Sequence, residues 1–177
     1  MKSILLEEVG KTTIKDIPKP VLNDNEVLVK TEYLGICGSD MHVFEGNHAF
    51  RKPPVILGHE MSGIVVEIGT GVTKINVGDR VTALPSTYCN ECEHCKSGNT
   101  QQCLNRKVPG TPNWIGSFVE FFNVHEDLLF RLPETLDIRI GVLAEPLSVT
   151  VRALSKIQPK DRENLLLLGT VSKGVFL

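Results

Sequence analysis

The sequence predicts a mainly β fold with a smaller helical part, an α+β domain whose body resembles a β-barrel or sandwich. Many short alternating segments separated by glycine and proline turns favour that body. From Asp137 onwards the pattern changes, and apolar residues recur at helical spacing. The 177 residues are 41% hydrophobic and 23% charged, an ordinary globular composition for which one domain is the default. The recurring residues are Leu143, Leu147, Val151 and Leu154.

Six segments are predicted as strands because apolar and polar residues alternate within them and turn residues bound them. The first two are divided by Gly10, and the turn 69–71 divides the fourth from the fifth. The last of the six carries three phenylalanines. The segments are residues 3–8, 12–16, 26–33, 64–68, 77–84 and 117–124.

The C-terminal part is predicted as a helix followed by one buried strand. Asp137 can cap the helix, Pro146 should kink or divide it, and Pro159 ends it. The apolar run 164–168, which precedes Gly169, is typical of the first strand of a βαβ unit. Such a unit needs about 30 residues, so we expect residues 158–177 to be a linker and the start of an incomplete second domain. Residues 1–157 then form the first domain.

Charge and composition exclude several classes of protein. The net charge is −2 with no basic or acidic block, so neither a nucleic acid nor a membrane surface is predicted as a partner. No apolar run approaches the length of a membrane span, and the N-terminus does not resemble a signal peptide. The odd number of cysteines, five, favours the reducing cytoplasm over a disulfide framework.

Four cysteines follow one another at the spacing C-x2-C-x2-C-x7-C. Three thiolates two residues apart and a fourth downstream can surround one tetrahedral zinc ion from a short loop. The alternatives are free thiols in a surface loop, and a site in which His94 replaces one of the cysteines. We predict a closed structural zinc lobe over residues 86–106, with ligands Cys89, Cys92, Cys95 and Cys103.

A second set of potential ligands is dispersed along the chain. Cys37 lies in one segment, His59 follows 22 residues later, and Glu145 comes much later. One cysteine, one histidine and one carboxylate suit a catalytic zinc site, because three protein ligands leave a position for water or substrate. Taken singly, each has a simpler explanation: a small buried cysteine, a core histidine and a charge on a helix surface.

Two longer motifs carry a resemblance to a known family. The motif Gly58-His59-Glu60-x2-Gly63-x-Val65-x3-Gly69-x2-Val72-x5-Gly78-Asp79-Arg80-Val81 resembles the zinc signature of the medium-chain dehydrogenase/reductase (alcohol dehydrogenase) family. The cysteine cluster resembles that family's structural zinc lobe. The chain is similar to the family's N-terminal, GroES-like catalytic domain. Cys37-Gly38-Ser39-Asp40-x-His42 and Glu145-Pro146-Leu147-Ser148-Val149 look most like the sorbitol (polyol) and threonine dehydrogenase branches.

The resemblance implies a zinc-dependent alcohol or polyol dehydrogenase that passes a hydride from a zinc-bound alkoxide to NAD(P). Its substrate would be a small-molecule alcohol or polyol. The resemblance implies that Cys37 and His59 are zinc ligands and that Glu60 is a carboxylate that approaches or ligates the zinc. It implies that Glu145 holds the zinc directly or through water. Asp40 would orient the histidine, and Ser39 and His42 would relay the proton.

The nucleotide fingerprint that the family places next is degenerate here. Gly169 and Gly174 match its outer glycines, but Val171 stands where the middle glycine lets the pyrophosphate approach. We therefore expect no functional dinucleotide site and no activity from this chain alone. The truncation could reflect an engineered fragment, a frameshift or a natural short product.

Three further interpretations concern function and assembly. The alternative to an enzyme is a non-enzymatic zinc-binding GroES-like module that binds hydroxyl ligands or a partner protein. The zinc-free quinone reductase branch is disfavoured because both metal sets are present. The loop 44–50 and Trp114 either wall the substrate pocket or pack in the core and against the lobe. The apolar C-terminal segment predicts self-association into a homo-oligomer.

Overall fold

The computed structural model describes residues 1–157, and β-strands dominate this part of the chain, which confirms the predicted α+β fold. Successive side chains of a strand point to opposite faces, and most of the side chains that the strands bury are apolar. The strands are β1 (Lys2–Glu8), β2 (Lys11–Asp16), β3 (Glu26–Gly35), β4 (Val55–Ile56), β5 (Glu60–Ile68), β6 (Arg80–Ala83), β7 (Phe121–His125) and β8 (Leu129–Arg131).

The strands form two antiparallel sheets. The smaller sheet has the order β2-β1-β4, and the larger sheet has the order β7-β3-β5-β6-β8. A bridge between Ser3 and Val119, and a hydrogen bond from the Ile4 amide to the Phe118 carbonyl (2.9 Å), connect β1 to the segment that precedes β7. Ile4 and Leu6 of β1 line one cavity with Leu34 of β3 and with Asp40, so β1 lies near the end of β3 that leads to the candidate metal ligands.

The main core lies against one face of the larger sheet. Val27 and Val29 of β3 are fully buried, and Met61 and Val65 of β5 pack in the same cluster as Phe122 of β7. A second, smaller cluster contains Leu6, Val43 and Leu57, and it fixes the first helix against β1. Burial of these apolar side chains is the main force that orders the ends of the strands.

Several strand boundaries differ from the predicted ones. The strand predicted at 77–84 begins only at Arg80, because Gly78 has a φ of 95° and residues 76–79 form a turn. The strand predicted at 117–124 begins at Phe121, and β5 begins at Glu60, four residues earlier than predicted. The strands β4 and β8 were missed because two or three residues are too few to show alternation.

The described helices are short apart from the last. The predicted helix is divided into two pieces: Asp137 caps the first by accepting a hydrogen bond from the Arg139 amide (2.9 Å), and Pro146 lies in the first turn of the second. Within residues 1–157 no helix is both long and apolar enough to cross a membrane. The helices are α1 (Gly38–Phe44), α2 (Glu93–Lys96), α3 (Ile138–Gly141) and α4 (Ala144–Ile157).

Several predictions lie outside the described residues. They are the linker and first strand at 158–177, the helix end at Pro159, and the degenerate fingerprint with Gly169, Val171 and Gly174.

Candidate metal centres

The first candidate centre begins where β3 ends and α1 starts. Cys37 is the residue that precedes the first turn of α1, and it is half-buried. The Asp40 carboxylate reaches back and accepts a hydrogen bond from the Cys37 amide (3.1 Å), so it satisfies one of the free N–H groups at the helix start. Asp40 itself is only 2% exposed. The backbone around Cys37 is therefore fixed by a buried carboxylate.

The same carboxylate also contacts the segment that carries the histidine. Its other oxygen accepts a hydrogen bond from the Gly58 amide (3.4 Å) and lies 3.6 Å from Nδ1 of His59. Gly58 has a φ of 95°, a conformation that glycine adopts without strain. Asp40 thus fixes the Cys37 and His59 segments, which are far apart in sequence, relative to each other.

Three side chains meet at this point. Ligand atoms of Cys37, His59 and Glu60 all lie within 4.8 Å of one another. The His59 side chain is 11% exposed, and Glu60, the first residue of β5, is buried. A sulfur, an imidazole nitrogen and a carboxylate oxygen are ligands that zinc accepts in proteins. The three residues can therefore hold one zinc ion with small side-chain movements.

A glycine makes room for the carboxylate in this group. Gly35, the last residue of β3, pairs with Glu60 across the sheet. A methyl group added at Gly35 would lie 2.2 Å from the Glu60 carboxylate oxygen Oε2, far inside contact distance. The role of Gly35 was not predicted from the sequence. The available signal was a glycine two residues before a candidate cysteine ligand at a strand end.

The charges of the group favour a bound cation. Burial alone would lower the pKa of His59, but the Asp40 carboxylate and the Cys37 sulfur outweigh it and raise the pKa to about 10. Interaction with His59 lowers the pKa of Cys37 despite the opposing effect of burial. Within the described chain, Nδ1 of His59 is buried and has no hydrogen-bond partner. These shifts show that the group favours positive charge at its centre: a proton on the imidazole, or a metal ion that replaces this proton, since histidine binds a metal in its neutral form.

We expect Asp40→Asn to lower zinc affinity at the Cys37–His59–Glu60 group by about 10–100-fold, the usual cost of removing a group that orients a metal ligand. The amide of asparagine keeps an acceptor for the Cys37 N–H but loses the negative charge beside His59. Competition between the protein and a chromogenic zinc chelator measures the affinity of each site.

Asp16→Asn is the matched control, because Asp16, at the end of β2, is exposed and within residues 1–157 forms an ion pair only with Lys2. It should leave both zinc affinities unchanged. An Asp40→Asn protein with wild-type affinity at this group would contradict the role assigned to the carboxylate.

The other predicted site residues have separate positions. Ser39 and His42 lie three residues apart on α1, which places them on one face of the helix, and His42 is exposed. Glu145 lies in the first turn of α4 and lines a cavity with Thr82 and Ala83 of β6. The group of mutually close ligand atoms contains Cys37, His59 and Glu60 but not Glu145. A role for Glu145 at the zinc therefore stays a prediction.

The second candidate centre is the cysteine cluster. The four ligand atoms lie within 4.8 Å of one another, and the sulfurs of Cys89 and Cys95 are 4.0 Å apart. Zinc–sulfur bonds of about 2.3 Å in a tetrahedron place sulfurs about 3.8 Å apart. All four cysteines are free thiols, so no disulfide competes with a metal. This group consists of Cys89, Cys92, Cys95 and Cys103, and His94 is not part of it.

Backbone N–H groups stabilise negative charge on these sulfurs. The Cys92 amide donates to the Cys89 sulfur and the Cys89 amide to the Cys103 sulfur, both at 3.3 Å. Hydrogen bonds from the backbone of Cys92 and Glu91 lower the pKa of Cys89 to about 6. Burial instead raises the pKa of Cys95 to about 11. Four sulfurs this close together, two of them accepting backbone N–H groups, fit a cation at their centre, whose binding would displace the remaining thiol protons.

The aromatic residues predicted to wall a substrate pocket behave differently from one another. Phe44 packs on the second core cluster and also lines a cavity with Asp40 and Met41. Trp114 stacks on Phe122 with ring centroids 5.4 Å apart and donates from Nε1 to the Asn123 carbonyl (3.1 Å). Phe50 is 73% exposed and lines a cavity beside β4.

Known proteins that are similar to this chain include reductases and dehydrogenases. The chain is 37% identical over 98% of its length to "Probable D-xylulose reductase A" of Arthroderma otae and 35% identical over 99% to sorbitol dehydrogenase of Bacillus subtilis. It also matches the structure of an oxidoreductase/dehydrogenase of unknown specificity from Escherichia coli, at 33% identity and a TM-score of 0.93, covering 99% of this chain and 52% of the other. The chain spans 50% and 51% of the two curated relatives.

The fold, the two potential zinc sites and these relatives define a class, the catalytic domains of zinc-dependent dehydrogenases. Residues 23–134 match the family described as "Alcohol dehydrogenase GroES-like domain". The chain belongs to this family, and with it to the zinc-dependent medium-chain dehydrogenases, which confirms the resemblance inferred from the motifs.

Proposed function

We propose that this chain supplies the zinc-binding catalytic domain of an NAD(P)-dependent alcohol or polyol dehydrogenase. The observation that carries the proposal is the meeting of Cys37, His59 and Glu60 against the buried carboxylate of Asp40. Membership of the family and the likeness to sorbitol dehydrogenase and D-xylulose reductase support a polyol as substrate. The cofactor would be NAD or NADP, which accepts the hydride in the full-length enzyme.

Each residue of the site has a separate role in the proposed reaction. A zinc ion held here lowers the pKa of an alcohol bound to it. Cys37, His59 and Glu60 hold the ion, and Asp40 keeps the imidazole in position. Ser39 and His42, on one face of α1, carry the alcohol proton from the buried centre to the exposed imidazole. Glu145 completes the site directly or through water.

The same proposal includes four structural ligands, a location and an assembly. Cys89, Cys92, Cys95 and Cys103 hold a second zinc ion, which stabilises the lobe and takes no part in the chemistry. Free thiols throughout the described chain support a reducing cytoplasm. Exposed large apolar side chains such as Ile14 and Ile36 support a homo-oligomer.

Cobalt in place of zinc tests the proposal, because the absorption of bound Co²⁺ responds to a change of ligand. We expect a short alcohol or polyol to change the spectrum of the cobalt-loaded chain. Cys37→Ser should abolish this response while the metal of the four-cysteine site is retained, since a closed site has no open position. NAD(P) reduction is measured in the same samples, and we expect none from this chain alone because Val171 interrupts the nucleotide fingerprint.

Two results would contradict the proposal. One is a spectrum that no alcohol changes in the wild-type chain, which would favour a zinc-binding module without catalysis. The other is an equal response in Cys37→Ser, which would place the alcohol away from this centre.

A further inference from the structure

A cavity of about 530 Å³ lies beside β4, outside the group of candidate zinc ligands. Two segments form most of its wall: one runs from Phe50 to Ile56, and the other from Gly110 to Ile115. Its lining is apolar except for Arg51, Lys52 and Thr111. The few polar groups of an apolar pocket fix the orientation of its ligand and determine its specificity. Two cationic side chains without an acidic partner among the described residues therefore indicate an anionic ligand.

Arg51 is the central residue of this cavity. Its Nε atom is buried and has no hydrogen-bond partner within the part of the chain that the structure describes. The guanidinium lies against Gly110, where an added methyl group would be 3.6 Å from Nε. Neither Arg51 nor Lys52 forms an ion pair with any carboxylate of residues 1–157. A buried donor without an acceptor is costly, so an acceptor from a ligand would be favourable there.

The backbone around Arg51 is fixed by a histidine. Nδ1 of His48 accepts hydrogen bonds from the amides of Arg51 (3.1 Å) and Phe50 (3.4 Å), and its ring contacts Phe50 edge to face. Burial lowers the pKa of His48, and the positive charges of Arg51 and Lys52 lower it further. The loop therefore holds a local excess of positive charge in a defined conformation.

The cavity is close to the candidate zinc ligands. Ile56 lines it, and His59 follows three residues later, so the two Cα atoms are at most about 11 Å apart. The charges of Asp40 and His42 are also near enough to affect His48. A short polyol with one hydroxyl at the zinc centre could therefore place its far end in the cavity.

We propose that this cavity binds a terminal phosphate on the polyol substrate, with Arg51 and Lys52 as its ligands. The planar guanidinium fork matches phosphate oxygens, and the lysine adds a second charge for a dianion. The inference rests on the proposed function, because it names the substrate class of the same site: a phosphorylated polyol. A carboxylate at the end of a sugar acid presents the same kind of acceptor with less charge.

Calorimetric titration of the zinc-loaded chain tests this assignment with four probes: sorbitol, sorbitol 6-phosphate, gluconate and inorganic phosphate. We expect sorbitol 6-phosphate to bind at least about tenfold more tightly than sorbitol, the gain expected from a charge-assisted hydrogen bond. Arg51→Gln should remove this gain, and it should weaken sorbitol far less than sorbitol 6-phosphate, because sorbitol carries no negative charge. Arg51→Lys keeps the charge but loses the fork, so it should retain only part of the gain.

The matched control is Arg152→Gln, which removes the same charge from an exposed position on α4. It should bind all four probes as the wild type does, and circular dichroism verifies that each variant is folded. Equal affinities for sorbitol and its phosphate would overturn the proposal, as would equal losses in Arg51→Gln and Arg152→Gln. Tighter binding of gluconate than of sorbitol 6-phosphate would overturn the phosphate and favour a sugar acid.

Cys37→Ser separates this inference from the proposed function. If the zinc role of Cys37 is wrong but the anion site is right, inorganic phosphate still binds in an Arg51-dependent way, and Cys37→Ser changes no affinity. If the zinc role is right but the anion site is wrong, Cys37→Ser weakens sorbitol and Arg51→Gln weakens nothing.

Discussion

Cys103→Ser is expected to remove one zinc ion per chain and to destabilise the protein by about 4 kcal/mol or more, the range in which loss of a structural metal falls. The Cys103 sulfur is almost completely buried, and it accepts the Cys89 amide besides facing the other three thiols. Three remaining sulfurs cannot close a tetrahedral site, and binding of such a zinc ion is part of the folding free energy. Metal analysis and urea denaturation measure the two effects.

His94→Ala is the matched control inside the same lobe, because His94 is adjacent to Cys95 but is not in the group of four. It should keep both zinc ions and most of the stability. Retention of zinc in Cys103→Ser combined with its loss in His94→Ala would show that the histidine is the fourth ligand instead.

Gly116→Ala is expected to destabilise the fold by about 3 kcal/mol or more, because overpacking against a rigid backbone is among the costly substitutions. A methyl group at Gly116 would lie 2.0 Å from the Leu57 carbonyl oxygen and 2.4 Å from that of Ile56. The Gly116 amide donates to the Ile56 carbonyl (3.0 Å), so separation of the two segments also breaks a hydrogen bond. Urea denaturation measures the free energy of unfolding.

Gly38→Ala is the matched control for this substitution. A methyl group at Gly38 meets no atom within 4 Å, and the residue begins α1, where alanine is a better helix former. Its stability should equal or slightly exceed that of the wild type.

Because segment 56–58 leads directly into His59, Gly116→Ala should also weaken zinc binding at the first centre. A Gly116→Ala protein as stable as Gly38→Ala would mean that the backbone yields at this contact.

The spacing of the ligands along the chain determines how much of each potential metal centre can be predicted from the sequence. Cys89 to Cys103 lie within one short loop, so spacing alone predicts that their sulfurs can meet. Cys37 and His59 lie 22 residues apart, and only the family resemblance predicted that β3 and β5 would bring them together. Glu145 lies in α4, and only the family resemblance of its motif predicted a role at the zinc, which stays a prediction.

Other features were invisible to pattern analysis for a physical reason. Gly35 is required by the Glu60 carboxylate across the sheet, a contact that depends on strand register. No sequence pattern distinguishes Arg51 from other arginines, and only the tertiary structure shows that Nε is buried against Gly110. The overall class of fold was predictable because it depends on many short alternating segments, whereas these contacts depend on single long-range pairs.

The contacts of Asp40 mean that the first metal centre is preorganised by the polypeptide. One buried carboxylate accepts hydrogen bonds from the amides of Cys37 and Gly58. The conformational entropy lost in bringing the ligands together is therefore lost when the chain folds, and not when the metal binds. Metal uptake there requires little rearrangement, and chelation should leave the β-sheets intact. We expect the opposite of the cysteine lobe, whose four potential ligands lie in one short segment and whose order would depend on the ion. A single chain would then combine a rigid receptor for one zinc ion with a segment whose order is conferred by another.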